Sequence, residues 1–254
     1  MAWLKEPFMS ERRDIAGFPV LNTTADAITR LLNRRLHQRT PTVVVFANAN
    51  LITQCGHLRS EIAGSDDVVV LNDGIALDAA SVMRFGSRFR QNLNGTDFTP
   101  ALLRSLDEPA RVFLLGSEPA TVERAADILG RIDNVAICGW LDGFSIWDDE
   151  AATVDRIRDA RPDILLVAMG NPRQENWIFR HRASLGVPLI MGVGALFEFV
   201  AGTKPRAPRI MRSLRLEWLH RMALEPRRLV GRYTIGIAHF FATVLLYKEE
   251  RGIR

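Results

Sequence analysis

The sequence predicts an α/β protein built on a doubly wound, mainly parallel sheet, followed by a basic helical segment at the C-terminal end. Short apolar runs alternate with amphipathic stretches, which is the pattern of consecutive βαβ units. Most of these runs end in Gly, Asn or Asp, as strands do before a turn. From residue 203 onward, 12 Lys and Arg stand against 4 Asp and Glu. The tail, from residue 203 onward, therefore differs in net charge from the body of the chain, residues 1–202.

Length and composition limit the alternatives. A chain of 254 residues can bury a substantial core, as one large domain or as one domain with an appendage. Its 47% hydrophobic and 24% charged residues are typical of globular proteins. The two cysteines have no CxxC or His-rich neighbourhood, so we expect no disulfide, no zinc site and a reducing cytosol. The first 14 residues lack the apolar run of a signal peptide and predict a short, loosely held leader.

The first half of the chain predicts two buried strands and three helices. Apolar residues at helical spacing predict a helix over 24–37, capped by Thr23 or Thr24. Continuous apolar runs predict buried strands at 43–46 and 68–71. Two further helices are predicted, at 75–85, where Gly86 ends the helix, and at 98–106, after a polar turn at 94–97.

The second half repeats this alternation. Apolar runs predict strands at 111–115, 135–138, 164–169 and 187–191. Helices are predicted at 119–129 and 150–159, and another begins at Pro172, because proline favours the first helical position. The strand at 187–191 ends in a Gly192–Gly194 turn, for which tight backbone geometry and ligand contact are equally good interpretations.

Polar residues follow the predicted strands, where α/β sheets bind their ligands. Asp73 is either a helix cap or a general base that deprotonates a hydroxyl. The amides of Asn48, Asn50 and Gln174 could hold sugar hydroxyls, which need neutral donors and acceptors. Gly116, before a predicted helix N-terminus, could contact nucleotide phosphates. This turn is not a GxGxxG fingerprint, so a dinucleotide enzyme is weakly supported.

The tail predicts contact with phosphates. Arginine outnumbers lysine ten to two from residue 203, and its planar fork suits bidentate phosphate binding. Nucleic acid, a membrane surface and a pyrophosphate substrate are all possible partners, and a solvated arginine-rich face is the alternative. The uncharged stretch 233–247 is short for a membrane span and predicts either an interfacial helix or a buried C-terminal helix. We divide the chain into a core, 1–202, and a basic, membrane-associating appendage, 203–254.

Several motifs in one order carry a family resemblance. They are NDGIAL around Asp73, NGTDF at 94–98, GNPRQENW at 170–177, GVGALFEFVAGTKPRAP at 192–208 and EWLHRMALEPRRLVGRY at 217–233. Together they resemble the WecG/TagA/CpsF family of bacterial glycosyltransferases, over about residues 14–235. The resemblance implies an inverting enzyme that transfers a sugar from a UDP-sugar to a sugar on a polyprenyl diphosphate.

The resemblance also implies the setting of the reaction. The family fold is a Rossmann-like core with an appendage that docks by the active site, and no cofactor or metal is required. We expect a peripheral protein on the cytoplasmic face of the membrane, with a UDP-sugar donor, a lipid-linked sugar acceptor, a possible homo-oligomer and no nucleic acid partner. The alternative from another class is a non-catalytic, basic protein that binds membranes or nucleic acid.

The candidate site combines the strand-end residues with those carried over from the family. Asp73 matches the family's base, Gln174 its pocket glutamine, and Arg221 and Arg228 its appendage arginines. The predicted catalytic residue is therefore Asp73, with no metal ligand. The predicted substrate-binding residues are Asn48, Asn50, Asn92, Thr96, Asp97, Gly116, Gln174, Gly194, Arg206, Arg221 and Arg228.

The sequence departs from the family pattern at three positions. Phe46 stands where many members have Thr, Asn92 where many have Arg, and Glu198 where Asp is common. The FANAN and NLNGTDF versions are closer to the glucosyltransferases of exopolysaccharide assembly, which predicts glucose as the donor sugar. The alternative is an N-acetylmannosamine transferase of the same family.

Overall fold

The fold is a single eight-stranded sheet flanked by helices. The computed structural model describes residues 11–206 and 226–247, the side chains of 226–234 excepted. The strand order is β1-β2-β4-β3-β8-β7-β5-β6, and all neighbours are parallel except the β1–β2 hairpin. The strands are Arg12–Ile15, Phe18–Leu21, Thr42–Ala47, Val68–Asn72, Ala110–Gly116, Val135–Leu141, Ile164–Ala168 and Leu189–Gly192. The predicted doubly wound, mainly parallel α/β fold, which is Rossmann-like, is confirmed.

Ten α-helices lie within the described residues, and we number them in chain order. Two short 3₁₀ turns, Gly56–Leu58 and Ser145–Trp147, supplement them. Helices α1–α10 are Ala25–His37, Ala49–Gln54, Arg59–Gly64, Ile75–Phe85, Gly95–Arg104, Pro119–Leu129, Glu150–Ala160, Arg173–Leu185, Leu196–Ala201 and Pro226–Leu246.

Both faces of the sheet are covered, which explains why its strands are continuous apolar runs rather than alternating ones. On β3, Val43 and Val45 pack into one hydrophobic layer, whereas Val44 and Phe46 pack into the other. The first layer includes residues of α2, α4, α8 and α10, and the second includes residues of α1, α5, α6 and α9. The helices are therefore divided between two faces, as a doubly wound sheet requires.

Helix α10 packs on the core. Phe240 and Val244 are fully buried within the first hydrophobic layer, together with residues of α2 and α4. The guanidinium of Arg84 on α4 donates to the carbonyl oxygen of Val244 at 3.2 Å. In the described part of the appendage, this helix therefore buries one face, as the buried alternative predicts. Its exposed face carries Ile235, Leu245 and Leu246.

Candidate active site

The loop after β4 holds Asp73 at the carboxyl edge of the sheet. All five residues of β4 are buried, and Asp73 follows them with a half-buried side chain. Its backbone N–H donates to the carbonyl oxygen of Ala47, at the end of β3, at 2.7 Å. Gly74, with φ of 98°, is the N-cap residue of α4. The cap position thus belongs to Gly74, and Asp73 stands one residue before it, at the strand end where a base is predicted.

Asn92 supports the same turn. Its side-chain oxygen accepts a hydrogen bond from the backbone N–H of Gly74 at 2.9 Å, and the N–H of Leu93 donates to the carbonyl of Asn72 at 3.0 Å. The segment around Asn92 therefore runs beside the end of β4. This places Asn92 next to Asp73, although 18 residues separate Asn92 from Gly74.

Asn48 and Asn50 lie at the end of β3, one strand away from Asp73 in the sheet. The side-chain oxygen of Asn48 caps α2 by accepting from the N–H of Leu51 at 3.0 Å. The side-chain oxygen of Asn50 accepts from the amide of Gln54 at 2.8 Å. Each oxygen accepts one hydrogen bond locally, which leaves a second lone pair and the amide nitrogen of each residue for contact with a sugar. Binding of substrate by Asn48 and Asn50 stays a prediction.

Gln174 joins the loops after β7 and β8. Its side chain is buried, and its oxygen accepts from the N–H groups of Gly170, at 3.2 Å, and Gly194, at 3.0 Å. The predicted start of this helix is off by one residue, because Pro172 is the N-cap residue and α8 begins at Arg173. The structure therefore brings Gln174 and Gly194 together, as members of one hydrogen-bonded turn.

Beneath this turn lies the carboxyl group of Glu175, a residue that was not predicted to be functional. Glu175 is 2% exposed, and its carboxylate accepts from the amides of Gln174 and Asn171 at 2.8 and 2.6 Å. Burial raises the pKa of Glu175, an effect that these hydrogen bonds oppose. Burial also raises the pKa of the neighbouring Cys55 thiol to about 12. The sequence shows only that an acid follows Gln174 directly. Its burial, which is rare for Glu, appears in the structure alone.

Thr96, Asp97 and Arg206 form a separate group at the start of α5. Asn94 caps this helix by accepting from the N–H of Asp97, and the hydroxyl of Thr96 donates to the same Asn94 oxygen at 2.8 Å. Arg206 donates to the carboxylate of Asp97 at 2.8 Å. Gly95 leaves room for the ring of Phe46, since a Cβ there would lie 2.9 Å from it. The NGTD motif and the start of the appendage are therefore tied together by an ion pair.

Gly116 lies at the end of β5, against the neighbouring strand β7. Its φ is 126°, and a Cβ would come within 2.3 Å of the carbonyl oxygen of Ala168. Close approach of two strands thus accounts for glycine here. Helix α6 begins three residues later, and its N-cap residue is Glu118, whose exposed side chain makes no capping hydrogen bond. Phosphate binding near Gly116 stays a prediction.

Two predicted residues fall beyond what can be placed. Arg221 lies outside the described residues, and Arg228 belongs to α10 but its side chain is not described. Across 11–206 and 226–247, no group of three or more His, Cys, Asp or Glu side chains could hold a metal ion. Independence from a metal stays a prediction.

A groove at the opposite edge of the sheet does not compete with this site. It encloses about 330 Å³ and is lined by residues that include Arg39, Pro41 and Arg182. Arg182 is held there by two carboxylates, Asp67 at 2.8 Å and Glu61 at 3.1 Å. Because ligands of α/β sheets bind at the carboxyl edge, and both arginines of this groove are already paired with carboxylates, we place the candidate site at the carboxyl edge.

The chain is similar to named glycosyltransferases over part of its length. A relative from Staphylococcus aureus (strain NCTC 8325 / PS 47) is 39% identical over 123 residues, which are 48% of this chain and 47% of that protein. The chain thus spans about half the length of this relative. One from Bacillus subtilis (strain 168) is 30% identical over 185 residues, 72% of this chain and 70% of that protein. Both are named N-acetylglucosaminyldiphosphoundecaprenol N-acetyl-beta-D-mannosaminyltransferase.

The match to a family covers almost the whole chain. Residues 13–253 match the model of the glycosyl transferase WecG/TagA/CpsF family. That span includes every strand end described above, from Asn48 to Gly194. The chain belongs to the WecG/TagA/CpsF family of glycosyl transferases.

Proposed function

We propose that the protein transfers an N-acetylmannosaminyl group from its UDP-sugar to an N-acetylglucosaminyl group on undecaprenyl diphosphate. The acceptor and the transferred sugar are those in the names of the relatives. These names favour the N-acetylmannosamine alternative over the predicted glucose donor and exopolysaccharide role. The observation that carries the proposal is the half-buried carboxylate of Asp73 at the carboxyl edge of the sheet, in a backbone turn that Ala47 and Asn92 hold in place.

The proposed chemistry is a single displacement. Asp73 takes the proton of the acceptor hydroxyl while that oxygen forms a bond to the anomeric carbon. The bond from this carbon to the diphosphate breaks, and UDP leaves on the opposite face. The relatives' names specify a β-linked product, which an α-linked nucleotide sugar gives by inversion at one centre. One base therefore suffices, with no covalent sugar–enzyme intermediate.

The departing diphosphate needs positive charge at its side of the site. Charge-assisted hydrogen bonds from arginine meet this need, and removal of one such donor typically lowers the rate about 10²–10³-fold. Arg221 and Arg228 are the residues we assign to this role, by their match to the family. Arg206 is held by Asp97, so we assign it to the junction between core and appendage as well as to substrate contact.

A peripheral position on the membrane fits the lipid-linked acceptor. None of the helices in the described parts of the chain is long and apolar enough to cross a membrane. Exposed apolar side chains cluster where α4 and α10 meet, next to the bond between Arg84 and Val244. They are Val82, Met83 and Phe85 on α4 and Leu245 and Leu246 on α10. We propose that this surface contacts lipid, and that the basic tail adds attraction to anionic headgroups.

The donor and acceptor can be tested together. The purified protein would be incubated with a panel of UDP-sugars and N-acetylglucosaminyl diphosphoundecaprenol, and the lipid product identified by mass spectrometry. A product heavier by one N-acetylhexosamine, formed only with UDP-N-acetylmannosamine, is the expected result. A product heavier by one hexose, formed from UDP-glucose, would instead support glucose as the donor sugar. No product with any donor would contradict the proposed function.

A further inference from the structure

The oxygen of Gln174 is shared between two loops that line the candidate site. It accepts from Gly170, after β7, and from Gly194, after β8, and these two strands are neighbours in the sheet. In the strand order, they lie between β4, which directly precedes Asp73, and β5, which ends at Gly116. The two loops therefore occupy the middle of the edge, between the predicted base and the predicted phosphate contact.

The orientation of this amide is set by Glu175. The nitrogen of Gln174 donates to one carboxylate oxygen of Glu175 at 2.8 Å, and the Asn171 amide donates to the same oxygen at 2.6 Å. The other carboxylate oxygen faces the Cys55 thiol at 3.9 Å. If the Gln174 amide were reversed, its nitrogen would face two backbone donors and its oxygen would face a carboxylate. Only the observed orientation satisfies every group.

Gly192 leaves the space that this arrangement needs. A Cβ at Gly192 would lie 2.9 Å from the nitrogen of Gln174, closer than such contacts normally come. The backbone of Gly192 is otherwise compatible with a side chain, because its φ is not in the left-handed region. The absence of a side chain at the end of β8 therefore serves the buried amide.

We propose that Glu175 is a positioning residue for sugar transfer, which fixes the Gln174 amide so that its oxygen holds the loops after β7 and β8 at one separation. Glu175 is buried and fully engaged, so it acts through Gln174 and not on substrate directly. The part of this inference that concerns the reaction rests on the proposed function. The part that concerns the loops does not.

Hydrogen exchange tests the loops without any substrate. Glu175→Ala removes the acceptor, whereas Glu175→Gln keeps an oxygen of the same shape that can accept from both amides. We expect the N–H groups of Gly170 and Gly194 to exchange about tenfold faster in Glu175→Ala, the effect of losing about one hydrogen bond. In Glu175→Gln, exchange should stay within about twofold of wild type. Unchanged exchange at both glycines in Glu175→Ala would overturn the proposal.

Two further variants separate positioning from general loss of stability. Leu185→Ala removes a buried side chain at the far end of α8, so it destabilises the fold without touching the Gln174 amide. Faster exchange at the two loops that is equally large in Leu185→Ala would also overturn the proposal. If Glu175→Ala does not fold, Gly192→Ala displaces the Gln174 amide with Glu175 in place. This variant should also speed exchange at the N–H groups of Gly170 and Gly194. Exchange at the wild-type rate there would overturn the proposal that Gln174 holds the two loops together.

Kinetics then tests the link to the reaction. With the donor and acceptor that the wild type uses, Glu175→Ala should lower kcat at least about tenfold, with a smaller change in KM, and Glu175→Gln should restore most of it. Wild-type kcat and KM in Glu175→Ala, with fast loop exchange, would overturn the catalytic part. If the wild type transfers no sugar, the proposed function fails. The exchange result still decides whether Glu175 and Gln174 hold the two loops together.

Discussion

Glu175 links the stability of the protein to pH. Burial raises its pKa above the ordinary value of 4.5, so the folded chain holds this proton more tightly than the unfolded chain. The contribution of Glu175 to stability is therefore complete below about pH 4.5 and falls as pH rises through the folded pKa. Each unit of raised pKa costs about 1.4 kcal/mol once the group has ionised.

Glu175→Gln should remove this dependence, because glutamine does not titrate. We expect the free energy of unfolding of the variant, relative to wild type, to increase between pH 4 and pH 7. Urea denaturation at several pH values measures it. Curves for the two proteins that run parallel over this range would show that Glu175 keeps an ordinary pKa.

Gly116 is a second residue whose identity follows from its surroundings. Gly116→Ala places a Cβ 2.3 Å from the carbonyl oxygen of Ala168 at a φ of 126°, so we expect a loss of at least about 1–3 kcal/mol in the free energy of unfolding. Gly64→Ala is the matched control, since a Cβ at Gly64, in α3, meets nothing within 4 Å. Equal stabilities of the two variants in a denaturant titration would argue against the close approach of β5 and β7.

At the residue scale, the sequence indicated which residues lie at the site better than it indicated the groups with which they form hydrogen bonds. Asp73 and Gln174 could be singled out because polar groups after buried strands meet at one edge of a parallel sheet. That the oxygen of Gln174 serves two backbone N–H groups depends on the separation of β7 and β8. The bond between Arg206 and Asp97 joins residues 109 positions apart, and no local pattern marks it.

At the element scale, α10 confirms the prediction of a buried C-terminal helix, whereas the interfacial alternative stays a prediction. Phe240 and Val244 are buried in the core, whereas Leu245 and Leu246 are 65% and 78% exposed. One helix thus supplies both a packing face and an apolar outer face. The sequence of this stretch does not show the division, because both faces of the helix are apolar. Which face is buried depends on the elements that pack against it.

The two faces of α10 should respond differently to truncation. Phe240→Ala removes a fully buried ring and should lower the free energy of unfolding by about 3–5 kcal/mol. Leu246→Ala, on the exposed face, should change it by less than about 0.5 kcal/mol. Thermal or urea unfolding checks both. A Phe240→Ala variant as stable as wild type would mean that α10 does not pack on the core in solution.

Element length decided which elements could be found. The helices predicted at 24–37, 75–85 and 119–129 agree with α1, α4 and α6 within one residue, because three turns show a clear period. The hairpin β1–β2 and the helices α2, α3 and α9 were not predicted. Each of these segments has four to six residues, too few to show a period.

At the scale of the whole molecule, the strand order creates the site. β8, the last strand among the described residues, pairs with β3 on one side and β7 on the other, and so brings Gly194 between the two halves of the sheet. Alternating elements predict a parallel sheet but not its strand order. The neighbours of Asp73 therefore became known only from the topology.

The apolar surface where α4 and α10 meet predicts membrane binding. Replacing both Leu245 and Leu246 by Ser should weaken binding to vesicles that contain anionic lipid about tenfold or more, because each leucine loses about 1.5–3 kcal/mol of apolar transfer when fully inserted. The melting temperature should stay unchanged, since both side chains are exposed. Sedimentation with vesicles measures the effect. Undiminished binding by the folded double variant would place the lipid contact elsewhere.

The most direct test of the central claim compares wild type with Asp73→Asn in acceptor-dependent release of UDP. Asparagine keeps the shape of the side chain but cannot accept the proton, so we expect release to fall about 10²–10⁴-fold with the fold unchanged. Asp127→Asn, which removes an exposed carboxylate on α6, is the control and should be fully active. Full activity of Asp73→Asn would contradict the assignment of the base and, with it, the proposed mechanism.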